Sequence, residues 1–173
     1  MHPTVEAMIE RYRLLRLPVE GTLFVSTYRS SSQTADGGPA GTAMIGMYAH
    51  EPASRSLFHR LPNDEVWHFY SGDPFRLVLL HPDGSSEDRW MGAGDGLEVQ
   101  TIVPAGVWQA GELHPDGMYA LFGCTMAPGF TGAGFEGGGR SELGAAYPSR
   151  LHDIVRLGVP DDEVVHMPAG FAT

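Results

Sequence analysis

With 173 residues, 42% of them hydrophobic and 18% charged, the chain has the size and balance of one globular domain with a sizeable core. No run approaches the roughly 18 apolar residues of a membrane span. That excludes an integral membrane role, and with a formal charge of −10 and no basic cluster to offset it, nucleic acid is not expected as the main ligand.

In chain order, Val5, Met8, Ile9, Tyr12 and Leu15 fall near helical spacing and predict one short helix over Thr4 to Leu17, ended by Pro18. Strand signals come next. Thr22 to Tyr28 is rich in β-branched and aromatic residues, and Ala43 to Tyr48 comes after a Ser/Gly/Pro loop from Ser30 to Gly41. Glu65 to Tyr70, Phe75 to His81, Arg89 to Met91, Glu98 to Val103, Val107 to Ala110 and Met118 to Thr125 continue the series, with Pro82-Asp83-Gly84 as a turn. Gly132 to Gly139 reads as a mobile loop and Ser141 to Tyr147 as a short helix stopped by Pro148. Many short strands, with Gly 23 and Pro 13, predict an all-β antiparallel sandwich or barrel in one domain over 1–173. Its core spans about 14–148, and 149–173 form a C-terminal extension.

All eleven basic residues are Arg, so lysine Schiff-base chemistry is excluded. The one cysteine, Cys124, permits no disulfide within the chain and reads as a small buried hydrophobe. The N-terminus lacks a basic start followed by an apolar stretch. Together with the single Cys this predicts a cytoplasmic protein.

Two segments concentrate the chemistry. The first is Phe58-His59-Arg60-Leu61-Pro62-Asn63-Asp64-Glu65-Val66-Trp67-His68-Phe69-Tyr70-Ser71-Gly72, and the second is Pro104-Ala105-Gly106-Val107-Trp108-Gln109. They resemble the two motifs of the cupin superfamily, His-x-His…Glu…Gly and Pro-x-Gly-x-x-His. Closer still is the DUF985, or cupin 5, subfamily. Thr27-Tyr28-Arg29-Ser30, His81-Pro82-Asp83-Gly84, Gly123-Cys124-Thr125 and Ala127-Pro128-Gly129-Phe130 carry that resemblance in the family's order. It implies a double-stranded β-helix, the jelly-roll barrel, with a short N-terminal helix and a minor C-terminal one. It also implies a homodimer paired through a sheet edge.

In metal-holding cupins both His of the first motif, the Glu, and the His of the second are ligands. Here His59 and Glu65 keep two of these positions, while Leu61 and Gln109 fill the others. Leucine has no lone pair and a neutral amide is a poor ligand for a borderline metal. No cofactor is therefore expected. The alternative is Fe, Mn or Zn on His59, Glu65 and His68, although strand alternation sets His68 opposite Glu65 unless a bulge intervenes.

The resemblance thus implies a cavity for a small-molecule ligand, with Glu65 and His59 as the proton-transfer pair. Burial should raise the Glu65 pKa unless His59 pairs with it. His68, Gln100, Trp108, Gln109, Tyr70, Trp67, Arg29, Ser26 and Met47 are the candidate ligand contacts. Arg29 and Arg76 have the guanidinium fork that clamps carboxylates. The chain departs from many relatives at Pro18-Val19-Glu20-Gly21-Thr22, where a His-Pro-Glu-Gly-Gly run is common, and at Ser26, where a Glu is common. These changes imply a pocket reshaped for its own substrate. The expected activity is metal-independent isomerisation, epimerisation, dehydration or cyclisation, as in a tailoring step of bacterial secondary metabolism. The alternatives are a non-catalytic ligand-binding cupin and a metal-dependent dioxygenase or lyase.

Overall fold

The computed structural model describes residues 1–172. Helix α1 (Pro3–Tyr12) starts on a proline, whose missing N–H costs nothing in a first turn, with the His2 ring accepting from the Thr4 amide at 3.2 Å. It stops five residues earlier than the periodicity predicts, because Arg13 takes the left-handed conformation (φ 55°) and turns the chain into β1 (Leu15–Arg16).

Ten further strands complete the fold: β2 (Leu23–Arg29), β3 (Thr42–Ala49), β4 (Ser56–Arg60), β5 (Glu65–Gly72), β6 (Phe75–Leu80), β7 (Ser86–Met91), β8 (Gln100–Val103), β9 (Trp108–Leu113), β10 (Tyr119–Met126) and β11 (Glu136–Gly137). They form two antiparallel sheets, β1-β2-β3-β10-β5-β8 and β11-β4-β9-β6-β7. The inner faces meet in a core of Tyr48, Trp67, Phe75, Leu77, Phe122 and their neighbours. Strand alternation explains the packing on the outer faces as well. The outer face of the first sheet offers Leu23, Met47 and Leu121 to Val5 and Leu14, which seats α1. The outer face of the second offers Phe58, Val78, Leu80 and Trp108 to Leu143, Ile154 and Leu157 of α2 (Arg140–Ala146) and α3 (Leu151–Leu157). The C-terminal extension thus contributes a second helix, α3, besides the one foreseen. Charges reinforce it: Asp153 meets Arg76 at 2.6 Å and Arg156 at 3.1 Å.

The glycine-rich run is no loose loop, and that expectation is corrected. Glu136 and Gly137 pair with Arg60 and His59 as β11. A Cβ on Gly138 would sit 2.5 Å from Leu143 Cδ1, so glycine serves close packing there. His59 itself lies on β4, a strand that composition does not reveal.

Candidate functional site

One end of the barrel encloses a cavity of about 230 Å³. Its deep end is lined by Glu20, His59, Glu65, Trp67 and Cys124, all buried, and its walls include Leu61, Met126 and Phe135. Ser26 and Arg29 are exposed and stand at the rim, with Phe130, Phe171 and Ala172 closing one side.

Each deep side chain arrives by a local device. Glu65 opens β5, and the turn of the second segment is tied beside it: Asp64 accepts from the Ala105 amide at 2.8 Å and the Leu61 carbonyl from the Gly106 amide at 2.9 Å. His59 faces inward because β4 slips its register against β9. Ser56 opposes Gly111 and His59 opposes Gln109, three residues against two, so Ser56 and His59 share the inner face. Glu20 is turned inward by Val19, which sits at φ 63°, a region that a β-branched residue rarely occupies.

These polar groups are held from behind. The His59 Nδ1–H donates to the Leu57 carbonyl at 2.8 Å, which leaves Nε2 facing Glu20 Oε2 at 3.7 Å. The Phe135 ring stacks on the imidazole, centroids 5.3 Å apart. The Glu20 carboxylate accepts from Thr22 and from Ser56 (2.6 Å), and Ser56 also bonds the Tyr48 hydroxyl at 2.6 Å. Glu65 Oε2 accepts from Gln109 Nε2 at 2.8 Å, while Gln109 Oε1 accepts from the Trp67 indole N–H at 2.8 Å.

Burial dominates the electrostatics of Glu65 and pushes its pKa up to about 7. His59 opposes the rise, Glu20 adds to it, and the Gln109 and Cys124 contacts offset a little of it. Burial likewise pushes the Cys124 thiol and the Tyr48 phenol well up, so both stay neutral. His59 does not pair with Glu65 by a hydrogen bond: Glu65 bonds Gln109 and His59 bonds backbone, with the Glu20 carboxyl as its neighbour at 3.7 Å.

Of the sequence-predicted residues, the cavity gathers Glu65, His59, Trp67, Arg29 and Ser26. The others fall elsewhere. His68 lies on the outer face of β5, between Thr125 (3.0 Å) and Gln100 (3.1 Å), because β5 alternates there without a bulge. Gln100 and Tyr70 share that exposed outer face. Met47 is buried beneath α1, and Met44 lines the cavity instead. Trp108 points away from the core toward α2 and α3, under Arg60. Gln109 stands behind Glu65 rather than in the cavity wall. Arg76 is saturated by Asp88, Glu112 and Asp153.

Sequence reasoning missed Glu20 as a site residue. Its signal was present in the Pro-x-Glu-Gly remnant of the family run. Phe135 and Phe171, in segments read as loop and extension, carried none.

The metal set of the family does not fit. Leu61 is a buried apolar wall, the Gln109 amide is committed at both ends, and His68 faces away. Among the described residues no three His, Cys, Asp or Glu side chains are grouped to hold a metal ion. No helix among them is long and apolar enough to cross a membrane.

Two antiparallel sheets rolled around a cavity at one end define a jelly-roll barrel of the cupin class. The model of the Cupin superfamily (DUF985) family matches residues 6–137, and the chain belongs to that family. No curated protein matches it. Among solved structures, protein SO0799 from Shewanella oneidensis is similar at 28% identity and TM-score 0.83, over 90% of this chain and 98% of that one. A hypothetical protein from Leishmania major is similar at 27% identity and TM-score 0.79, over 88% and 97%.

Proposed function

We propose that the chain is a small-molecule enzyme of the cupin fold that works by acid–base chemistry without a metal, of the isomerase or lyase type. The observation that carries this reading is the place of Glu65, a carboxyl buried at the deep end of an apolar cavity, where burial pushes its pKa up to about 7. Such a group gives and takes a proton with similar ease at neutral pH. His59 Nε2 opens on the same cavity and supplies the second proton carrier, so that one face of a ligand carbon is deprotonated while a neighbouring oxygen or carbon is protonated. Glu20 acts through His59 as a positioning residue. Walls of Leu61, Phe135 and Trp67 exclude water from the reacting atoms. Epimerisation, double-bond shift, dehydration and cyclisation all begin with this proton transfer.

Exchange of carbon-bound hydrogen tests the reading without a known product. The protein is incubated in D2O with a panel of small carbonyl acids, and loss of the C–H signal is followed by NMR. Exchange that slows by roughly two to four orders of magnitude in Glu65→Gln, as for a lost general base, supports it. Ligand binding with no Glu65-dependent exchange in any panel member would assign the barrel to ligand binding alone. Stoichiometric metal in protein purified without chelator, lost in Glu65→Ala, would replace it with a metallo-cupin.

A further inference from the structure

The rim of the cavity carries a cation that proton transfer leaves unused. Strict alternation along β2 would send Phe24, Ser26 and Tyr28 to one face and Arg29 to the other. Instead Ser26 opposes Met44 while Tyr28 opposes Ala43, two residues against one, so the strand bulges at Thr27. The bulge re-aims the side chains beyond it. Phe24, Ser26 and Arg29 line the cavity, and Tyr28 is left outside at 56% exposure.

Arg29 Nη1 donates to the Phe130 carbonyl at 3.1 Å, which sets the guanidinium at the rim. That neutral acceptor is its one hydrogen-bond partner among the described residues. Arg60, Arg76, Arg89, Arg150 and Arg156 each meet a carboxylate. Arg29 is also the one guanidinium among the described cavity-lining residues, and it retains free donors in a fork suited to a carboxylate. The opposite end holds Glu20 and Glu65. A ligand anion placed there would lose its hydration beside two carboxyl groups and no guanidinium, whereas at Arg29 it meets its counter-charge near water. The two ends therefore fix which way an anionic ligand enters. Between them the walls carry four rings, Phe24, Phe130, Phe135 and Phe171, set among Leu61, Met44 and Met126. The volume of about 230 Å³ lies below the ~300–1,000 Å³ typical of drug-sized pockets.

We infer that the cavity takes compact monocarboxylic acids with an aromatic or unsaturated body, the carboxylate seated on Arg29 and the far end delivered to Glu65 and His59. This rests on the acid–base reading for what happens at the far end. Recognition at the rim is an equilibrium property and is tested apart from turnover.

The probes are benzoate, phenylacetate and cinnamate, each beside its primary amide, titrated into the full chain by calorimetry. At least one acid should outbind its amide by about tenfold or more, as for a charge-assisted contact, and the preference should shrink at high salt. Arg29→Gln should abolish the preference while leaving amide affinity within about threefold, and Arg29→Lys should restore part of it. Arg29 is exposed, so the fold survives the change, which a thermal melt confirms. Glu65→Gln should keep the acid-over-amide preference. Acids and amides binding alike, an acid preference untouched by Arg29→Gln, or no acid binding at millimolar concentration would each overturn the inference. Those results leave Glu65-dependent exchange intact if only the ligand class is wrong. A persistent Arg29-dependent preference without exchange supports the ligand class and removes the acid–base reading instead.

Discussion

Gln109 and Glu65 meet across the barrel, the amide nitrogen of one donating to Oε2 of the other at 2.8 Å from strands of different sheets. The amide cannot turn over without loss, because its oxygen accepts the Trp67 indole N–H at 2.8 Å. A metal-binding cupin carries a histidine ligand at this motif position. Here the residue has become the support that holds the acid in place.

Gln109→Leu should therefore cost about 1–3 kcal/mol for each buried group left without its partner, the indole N–H and the Glu65 carboxyl. The same change removes a bond that favours the ionised form, so the Glu65 pKa should rise further above about 7. Urea unfolding measures the first effect and the carboxyl ¹³C shift of Glu65 against pH measures the second. An unchanged midpoint together with an unchanged titration would show that the amide supports nothing.

The raised pKa also sets a slope of stability with pH. In the folded chain Glu65 holds its proton up to about 7, whereas in the unfolded chain it ionises near its ordinary 4.5. Between those values the folded state binds more protons, so the contribution is complete below 4.5 and is lost as pH rises through about 7. Its size is about 3 kcal/mol at ~1.4 kcal/mol per unit. Glu65→Gln should flatten this part of the profile and gain relative to wild type above neutrality. Parallel curves for the two proteins between pH 4.5 and 8 would count against a buried, neutral Glu65.

Much of the architecture was legible because alternation and turn chemistry are local. β5, β6 and β10 lie within two residues of where their apolar patterns put them, and His68 falls on the outer face that alternation gives it. The site was less legible because bulges and a strained residue build it. The register slips that turn His59 and Arg29 inward depend on the partner strand, which a pattern along one strand does not contain. Glu20 reaches the cavity through the left-handed Val19, a conformation that its residue type argues against. The Gly132 to Gly139 run misled for a related reason: its glycines admit close neighbours, and composition alone reads them as freedom.

The edges of the first sheet bear on assembly. β1 is two residues long, and the Ile102 carbonyl on β8 already accepts from Arg89 at 2.7 Å, so pairing along the edges of this sheet has little to offer. The outer face beyond α1 instead leaves Tyr70 and Ile102 each 52% exposed. A homodimer is expected through that face. Light scattering should report the dimer mass at micromolar concentration and the monomer for Tyr70→Arg/Ile102→Arg. A monomer for the unmodified chain across that range would remove the expectation.

Two glycine positions separate the rigid back of the site from its tolerant exterior. A Cβ on Gly111 would lie 2.1 Å from the Tyr48 hydroxyl and 2.8 Å from its Cζ, and Tyr48 is fully buried. The phenol cannot yield without breaking its 2.6 Å bond to Ser56, the same hydroxyl that donates to Glu20. Gly111→Ala should therefore cost about 1–3 kcal/mol as overpacking and should disturb Glu20 and His59 with no contact to either. A Cβ on Gly123 would crowd the Tyr70 hydroxyl at 2.2 Å, but Tyr70 is half exposed on the outer face and can swing into solvent. Gly123→Ala should cost less than about 1 kcal/mol, because only the exposed Tyr70 ring has to move. Urea unfolding ranks the pair, and the His59 ring resonances should move in Gly111→Ala while holding still in Gly123→Ala. Equal losses of stability, or ring resonances indifferent to Gly111→Ala, would show that Tyr48 and Ser56 do not brace the polar end of the cavity.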